Sequence, residues 1–239
     1  MKRLSRQDIE LIAARVVNAY INMQKLEGAT VYSIDPVKLS ENLLRLKVDY
    51  QHLSLDNSIL GLTSYQEMGI EVFENDDSDV IYYLDGKTLL IESNLKYDVS
   101  MNGRCNFTIV HEASHQILRM LYPKEYGSRN NNQIHFYRTT SDKKRKITDW
   151  EEWQANTLGS AILLPPNLIK QAMFIFSLGD KIEILNKIYA PTVYERFSEM
   201  ARFLGSSKTA LAIRMKYLGL LKKEYWDDPE ALVRIEGER

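Results

Sequence analysis

The stretch "FTIVHEASHQIL", Phe107 to Leu118, places two histidines four residues apart with a glutamate directly after the first. On an α-helix, residues i and i+4 share a face one turn apart, so His111 and His115 can aim imidazole nitrogens at one point. Glu112 is rotated about 100° from His111. Its carboxylate then stands beside that point rather than on it, where it can accept a proton from water activated by a metal. The plain alternative is a solvated helical face that happens to hold two histidines. Only four histidines occur in 239 residues, and two of them fall at ligand spacing around a glutamate, which weighs against that alternative. The apolar stripe Phe107, Val110, Ile117 and Leu118 also sets the pair at the edge of a buried face.

A catalytic zinc takes three protein ligands and keeps a fourth position open. His52 and His135 each stand alone in β-like or loop segments, so the third ligand is sought in the downstream helical stretch "TDWEEWQANTLGSAILLPP". "TDWE" has the spacing of a capping box, with Thr148 as N-cap and Glu151 reaching back to its amide. That gives Glu151 a structural task and leaves Glu152 for the metal. Glu152, Asn156 and Gly159 follow at i, i+4 and i+7 on one face. Gly159 would allow close approach to the histidine helix, and Asn156 would hydrogen-bond a ligand histidine and orient it.

Around these motifs the chain reads as α+β. Ile9, Ile12, Ala13, Val16, Val17, Tyr20 and Met23 predict an opening amphipathic helix. "SIDPVKLSENLLRL" predicts another, with Asp35 as N-cap and Pro36 at the first helical position. From Val48 to Glu92 the runs are short and β-like, and Asp85-Gly86 in "DVIYYLDGKTLLIES" predicts a type I′ hairpin turn. Lys124 to Lys146 reads as a long loop with a short strand at "QIHFYRT" and a basic run, Lys143 to Lys146. Pro165-Pro166 closes the second motif helix, and helices are expected at about 167–176, 181–189, 192–204 and 207–218. Helices, then strands, then helices suggest α+β rather than alternating β-α units. The expected division is residues 1–166 as the metal-bearing domain and 167–239 as a helical C-terminal subdomain.

Composition narrows the class. Lysine plus arginine (31) nearly cancels aspartate plus glutamate (32), giving no global pull toward nucleic acid or anionic membrane. One cysteine, Cys105, excludes an intramolecular disulfide and fits a reducing compartment. No stretch has the length of a membrane span, and charges at Arg6, Asp8, Glu10 and Arg15 interrupt any signal-peptide core. A cytoplasmic protein is expected.

"RCNFTIVHEASH", "EWQANTLGSAILLPP" and "LAIRMKYLGLL" together resemble the ImmA/IrrE family of metallo-endopeptidases. The resemblance runs loosely from "SIDPVKLSENL" to Leu221. Ala113-Ser114 replaces the family's common Leu-Gly, and the stretch between the motifs is longer, but no ligand position is lost. The resemblance implies a zincin-like fold of the gluzincin kind. One zinc per chain (manganese being the other candidate) would be held by His111, His115 and Glu152, with Glu112 as general base. It also implies a protein substrate: a helix-turn-helix transcriptional repressor of a phage, mobile element or stress regulon, expected as a separate polypeptide.

"FSEMARFLGSSKTALAIRMKYLGL" has the outline of a helix-turn-helix and is locally basic at Arg202, Lys208, Arg214, Lys216, Lys222 and Lys223. Leu204, Leu211, Ile213 and Leu218 give the competing reading, a helical pair packed on the catalytic part, which the neutral overall charge favours. The rival to proteolysis is a non-proteolytic regulator in which the metal is structural and the tail binds a repressor or DNA. His135, Tyr137 and Tyr126 are candidate oxyanion stabilisers by position alone, and no substrate-binding residue is assigned.

Overall fold

The structure is a computed structural model and describes residues 2–75, 78–126, 134–138 and 150–224. It is α+β, as the pattern of periods predicts. The first helix, α1, spans Arg6–Leu26 and starts at a capping box: Asp8 N–H donates to Ser5 Oγ while Ser5 N–H donates to the Asp8 carboxylate. Asp35 caps the next helix through the Val37 and Lys38 amides, with Pro36 at its first position. This α2 is only Pro36–Lys38 long and continues as a π-helical turn, Leu39–Leu43.

Strands follow: β1 (Lys47–Gln51), β2 (Ile59–Ser64), β3 (Glu67–Asn75), β4 (Ser78–Asp85) and β5 (Thr88–Glu92). Two short turns of helix, α3 (Asn94–Tyr97) and a 3₁₀ segment (Val99–Met101), lead into the long α4 (Asn102–Leu121). Pro123 opens the short α5, Pro123–Tyr126, and β6 is Ile134–Arg138. The second motif helix is α6 (Trp150–Leu163), followed by α7 (Pro166–Ile175), β7 (Ile182–Leu185), α8 (Pro191–Phe203), α9 (Lys208–Tyr217) and β8 (Leu221–Glu224).

The main sheet runs β1-β5-β2-β6, with β1 parallel to β5 and the other pairs antiparallel. Asp85-Gly86 is a turn, with φ +75° at Gly86, but it does not join a hairpin. Instead β4 pairs with β3, and β5 passes into the main sheet between β1 and β2. The Asp85 carboxylate accepts from Lys87 N–H and Thr88 Oγ1, and this directs the chain out of β4. Every residue of β5 is buried, as a central strand requires.

The segment expected to be helical at 181–189 is instead β7, paired in parallel with β8. Ile182 and Leu185 are its buried residues, and their three-residue spacing mimics a helical stripe. The part after residue 166 is therefore not wholly helical. One apolar cluster joins α1, α4, α6, α7, α8 and α9, among them Ile9, Val17, Leu118, Ile162, Met173, Phe197 and Met215. A second, under the sheet, joins Leu60, Leu89 and Ile91 to Cys105, Ile109 and Ala113 of α4. Helix α4 thus lies between the sheet and the helical layer and packs on both.

The helical pair α8–α9 packs rather than stands free. The Asn106 amide donates to Gly205 O in its turn (2.9 Å), and Leu211, Ala212, Arg214 and Met215 are buried. A Cβ on Gly103 would lie 2.5 Å from Ser207 N, so the start of α4 presses directly on the same turn. Among the basic residues noted in this segment, Arg214 is 4% exposed and forms a bidentate pair with Glu10 while donating to Leu164 O. Lys208 donates to Tyr194 Oη, and Lys222 pairs with Glu183. Among the described residues no single helix is long and apolar enough to cross a membrane.

Candidate metal centre

The histidines of α4 and the glutamate of α6 meet where these two helices cross. His111 Nε2 and His115 Nε2 are 3.2 Å apart. Glu152 Oε2 lies 3.4 Å from His111 Nε2, and Glu152 Oε1 lies 3.2 Å from His115 Nε2. The three side chains form a group able to hold a metal ion, with both rings fully buried and Glu152 at its open side. Four ligands set tetrahedrally at roughly 2.0–2.1 Å from an ion stand about 3.3 Å apart. The observed separations match that edge.

Gly159 faces α4 at close range. A Cβ there would lie 3.4 Å from the Cα and N of His111 and 3.5 Å from Ser114 Oγ, ordinary van der Waals contact, so the crossing is close and would just admit a methyl group. Ser114 turns its hydroxyl back to Val110 O (2.7 Å) at this crossing. On the opposite side of α4, Gly61 of β2 does the same for Glu112. A Cβ on Gly61 would meet Thr108 Cγ2 at 2.5 Å, Glu112 Cγ at 3.2 Å and Glu112 Oε1 at 3.3 Å.

Glu112 is fully buried, and neither carboxylate oxygen has a partner in hydrogen-bonding geometry among the described residues. The Tyr137 main chain nonetheless lies near enough to favour its charged form. Burial raises the Glu112 pKa, with the His115 ring opposing the rise and Glu152 adding to it. For His115, burial works against a charge on the ring, but the Glu151 and Glu152 carboxylates outweigh it and the pKa rises. A carboxyl raised by burial beside a ring held by two carboxylates is a marked departure from ordinary surface chemistry.

One expectation about α6 changes, and one falls outside the described residues. Thr148, the N-cap of the capping box expected for Glu151, is not among the described residues. The Glu151 Oε1 accepts from Tyr65 Oη (3.1 Å) and stands 3.8 Å from His115 Nδ1. Asn156 does not reach a ligand histidine: its amide donates to Glu152 O, one turn back (2.8 Å). It faces a small polar pocket with Arg6, Glu10, Arg214 and Tyr217. The helical period gives the reason, since four residues advance about 40° beyond a full turn while seven fall only about 20° short of two. Gly159 therefore stays near the meridian facing α4, and Asn156 drifts toward α1 and α9.

Of the three candidates for oxyanion stabilisation, the structure brings Tyr137 to the centre. Its ring centroid is 4.4 Å from that of His111, and Phe107 closes a ring triangle at 6.0 Å from Tyr137 and 6.3 Å from His111. Burial raises its hydroxyl pKa. The side chains of His135 and Tyr126, and the whole of Lys143 to Lys146, lie outside what is described. Cys105 is buried under the sheet in contact with Tyr50 and takes no part in the centre. His52 lies apart from it too, 3.0 Å from the buried carboxylate of Glu92. Sequence reasoning missed Tyr65 and Gly61, which no local pattern marks, and did not foresee that Glu151 also approaches His115.

Comparison with protein-family models and with curated protein sequences finds no match to this chain.

Proposed function

We propose that this protein is a zinc-dependent endopeptidase of zincin-like architecture that makes limited cuts in a regulatory protein. The observation that carries the reading is the triangle of His111, His115 and Glu152 donor atoms at 3.2–3.4 Å. Two imidazoles and one carboxylate suit zinc better than magnesium or calcium, which prefer oxygen ligands throughout. Bound zinc would supply Lewis acidity, acidifying water and polarising a carbonyl.

The chain's own groups fit the remaining steps. Glu112, buried beside the ligands and without a hydrogen-bond partner in bonding geometry among the described residues, would accept the proton of the attacking water and return it to the leaving amine. Tyr137 would donate from its hydroxyl to a developing oxyanion. The strand that carries Tyr137, β6, is last in the sheet, so its outer edge faces no described strand. An extended peptide could pair with that edge and so lie along the centre. The resemblance of the two motif helices to the ImmA/IrrE family supports a helix-turn-helix repressor as substrate.

The test is incubation of the purified chain, zinc-loaded or chelator-treated, with the helix-turn-helix repressor encoded nearest to it, read by mass spectrometry. Discrete fragments with zinc, and none with chelator or in Glu112→Gln, are the expected result. An intact repressor in every arm would remove the substrate assignment, and a chain that takes up no zinc would remove the metal assignment as well.

A further inference from the structure

Two consecutive glutamates of α6 address the two nitrogens of one imidazole. Glu152 Oε1 is 3.2 Å from His115 Nε2, and Glu151 Oε1 is 3.8 Å from His115 Nδ1. The Glu151 carboxylate is held in place from the other side. Tyr65, in the bend between β2 and β3, sets its hydroxyl 3.1 Å from Glu151 Oε1 and 3.4 Å from His115 O. Arg119, one turn beyond His115, covers the Tyr65 ring with its guanidinium carbon 4.9 Å from the centroid. Three separate segments of the chain therefore converge behind the ring, on the side away from the ligand triangle.

We propose that Glu151, fixed by Tyr65, is the positioning residue that holds His115 as the tautomer with its proton on Nδ1, leaving the Nε2 lone pair for the metal. The inference rests on the metal reading above. An imidazole that ligates through Nε2 must be neutral and carry its proton on Nδ1. A carboxylate at Nδ1 selects that form, fixes the ring plane and makes the ligating nitrogen more basic. At 3.8 Å the contact is longer than a closed hydrogen bond, and a shift of about 1 Å by the Glu151 side chain closes it. Tyr65 sets the limit of that shift, because it grips the same oxygen.

Zinc affinity of the full chain, measured by competition with a chromophoric chelator, tests the assignment. Glu151→Ala should weaken zinc binding about 10–100-fold, the range found for partners of metal-bound histidines. Glu151→Gln should recover part of the loss, since its amide oxygen can still accept from Nδ1–H. Tyr65→Phe, which removes only a hydroxyl, should show a smaller loss.

A purely structural role would not engage the Nδ1 proton, so ¹⁵N-histidine NMR of the zinc-loaded protein is the second readout. Slow solvent exchange of the His115 Nδ1–H is expected in the wild type and in Glu151→Gln, and faster exchange in Glu151→Ala. Wild-type affinity and unchanged Nδ1–H exchange in both Glu151→Ala and Tyr65→Phe would overturn the inference while leaving the metal reading intact. A wild-type chain that binds no zinc would overturn both. Zinc retained in Glu152→Ala but absent from Glu151→Ala would make Glu151 the ligand and overturn the positioning role.

Discussion

Gly61 is the place where a single methyl group tests the architecture. In Gly61→Ala the new Cβ would stand 2.5 Å from Thr108 Cγ2, about 1 Å inside normal carbon–carbon contact. Both atoms are constrained. Gly61 pairs with Ile91 on one side and Tyr137 on the other, and Thr108 is fully buried with its hydroxyl on Arg104 O at 2.9 Å. Either α4 moves off the sheet or Thr108 rotates and gives up that hydrogen bond. Overpacking of this kind costs about 1–3 kcal/mol. For a chain of this size that is a fall in Tm of roughly 2–12 °C.

Thr108→Ser removes the offending methyl and keeps the hydroxyl. Alone it should cost about 1 kcal/mol, the loss of one buried methyl. Combined with Gly61→Ala it should restore most of the stability, a coupling of at least about 1 kcal/mol in a double-mutant cycle. Thermal and urea denaturation of the four proteins give the numbers. If Gly61→Ala melts with the wild type, or if the two losses simply add, the close approach of β2 to α4 is wrong. The position of Glu112 would be wrong with it.

Other outcomes follow from the centre and its surroundings. Glu112→Gln should retain one zinc by elemental analysis and slow hydrolysis about 10²–10⁴-fold, because the amide cannot accept the proton; hydrolysis at the wild-type rate would end the general-base role. Glu152→Ala should lose zinc, whereas Asn156→Ala should keep wild-type zinc affinity and change stability by no more than about 0.5 kcal/mol. A zinc-depleted Asn156→Ala would reinstate its contact with a ligand. Glu10→Ala removes the carboxylate from the buried guanidinium of Arg214, leaving Leu164 O and the Tyr217 ring beside it among the described residues, and should cost about 3 kcal/mol in urea unfolding. Replacing both partners by Leu and Met should cost less than that single change, and a larger loss would show that the pair does more than neutralise itself.

How far the sequence alone reaches depends on the distance over which each contact acts. His111 and His115 were legible because helical period joins residues four apart. Glu152 was named by a capping argument whose N-cap, Thr148, lies outside the described residues, and it is the Glu152 carboxylate that meets both Nε2 atoms. Tyr65 and Gly61 reach the centre through strand register, from about fifty residues away, and leave no periodic trace. Asp85-Gly86 shows the same limit in the sheet. Its turn chemistry is local and real, but which strands pair on either side is decided by burial of β5. At Ile182 and Leu185 a four-residue strand is too short to show alternation, and its partner lies beyond α9.

The two glycines that clasp α4 divide the centre's duties between layers. Gly159 faces the ligand side of α4 from the helices, and Gly61 presses on the Glu112 side from the sheet. On the proposed reading, the helical layer bears more directly on whether an ion is held, and the sheet on what is done with it. Substitutions beneath the sheet, at Leu60 or Leu89, should accumulate as proteins that are fully loaded and slow. Those in α6, at Leu158 or Ile162, should accumulate as proteins that are empty. If the proposed activity holds, sheet-side substitutions should weaken turnover before metal binding, and a metal-loaded but inactive variant should be reached with few changes.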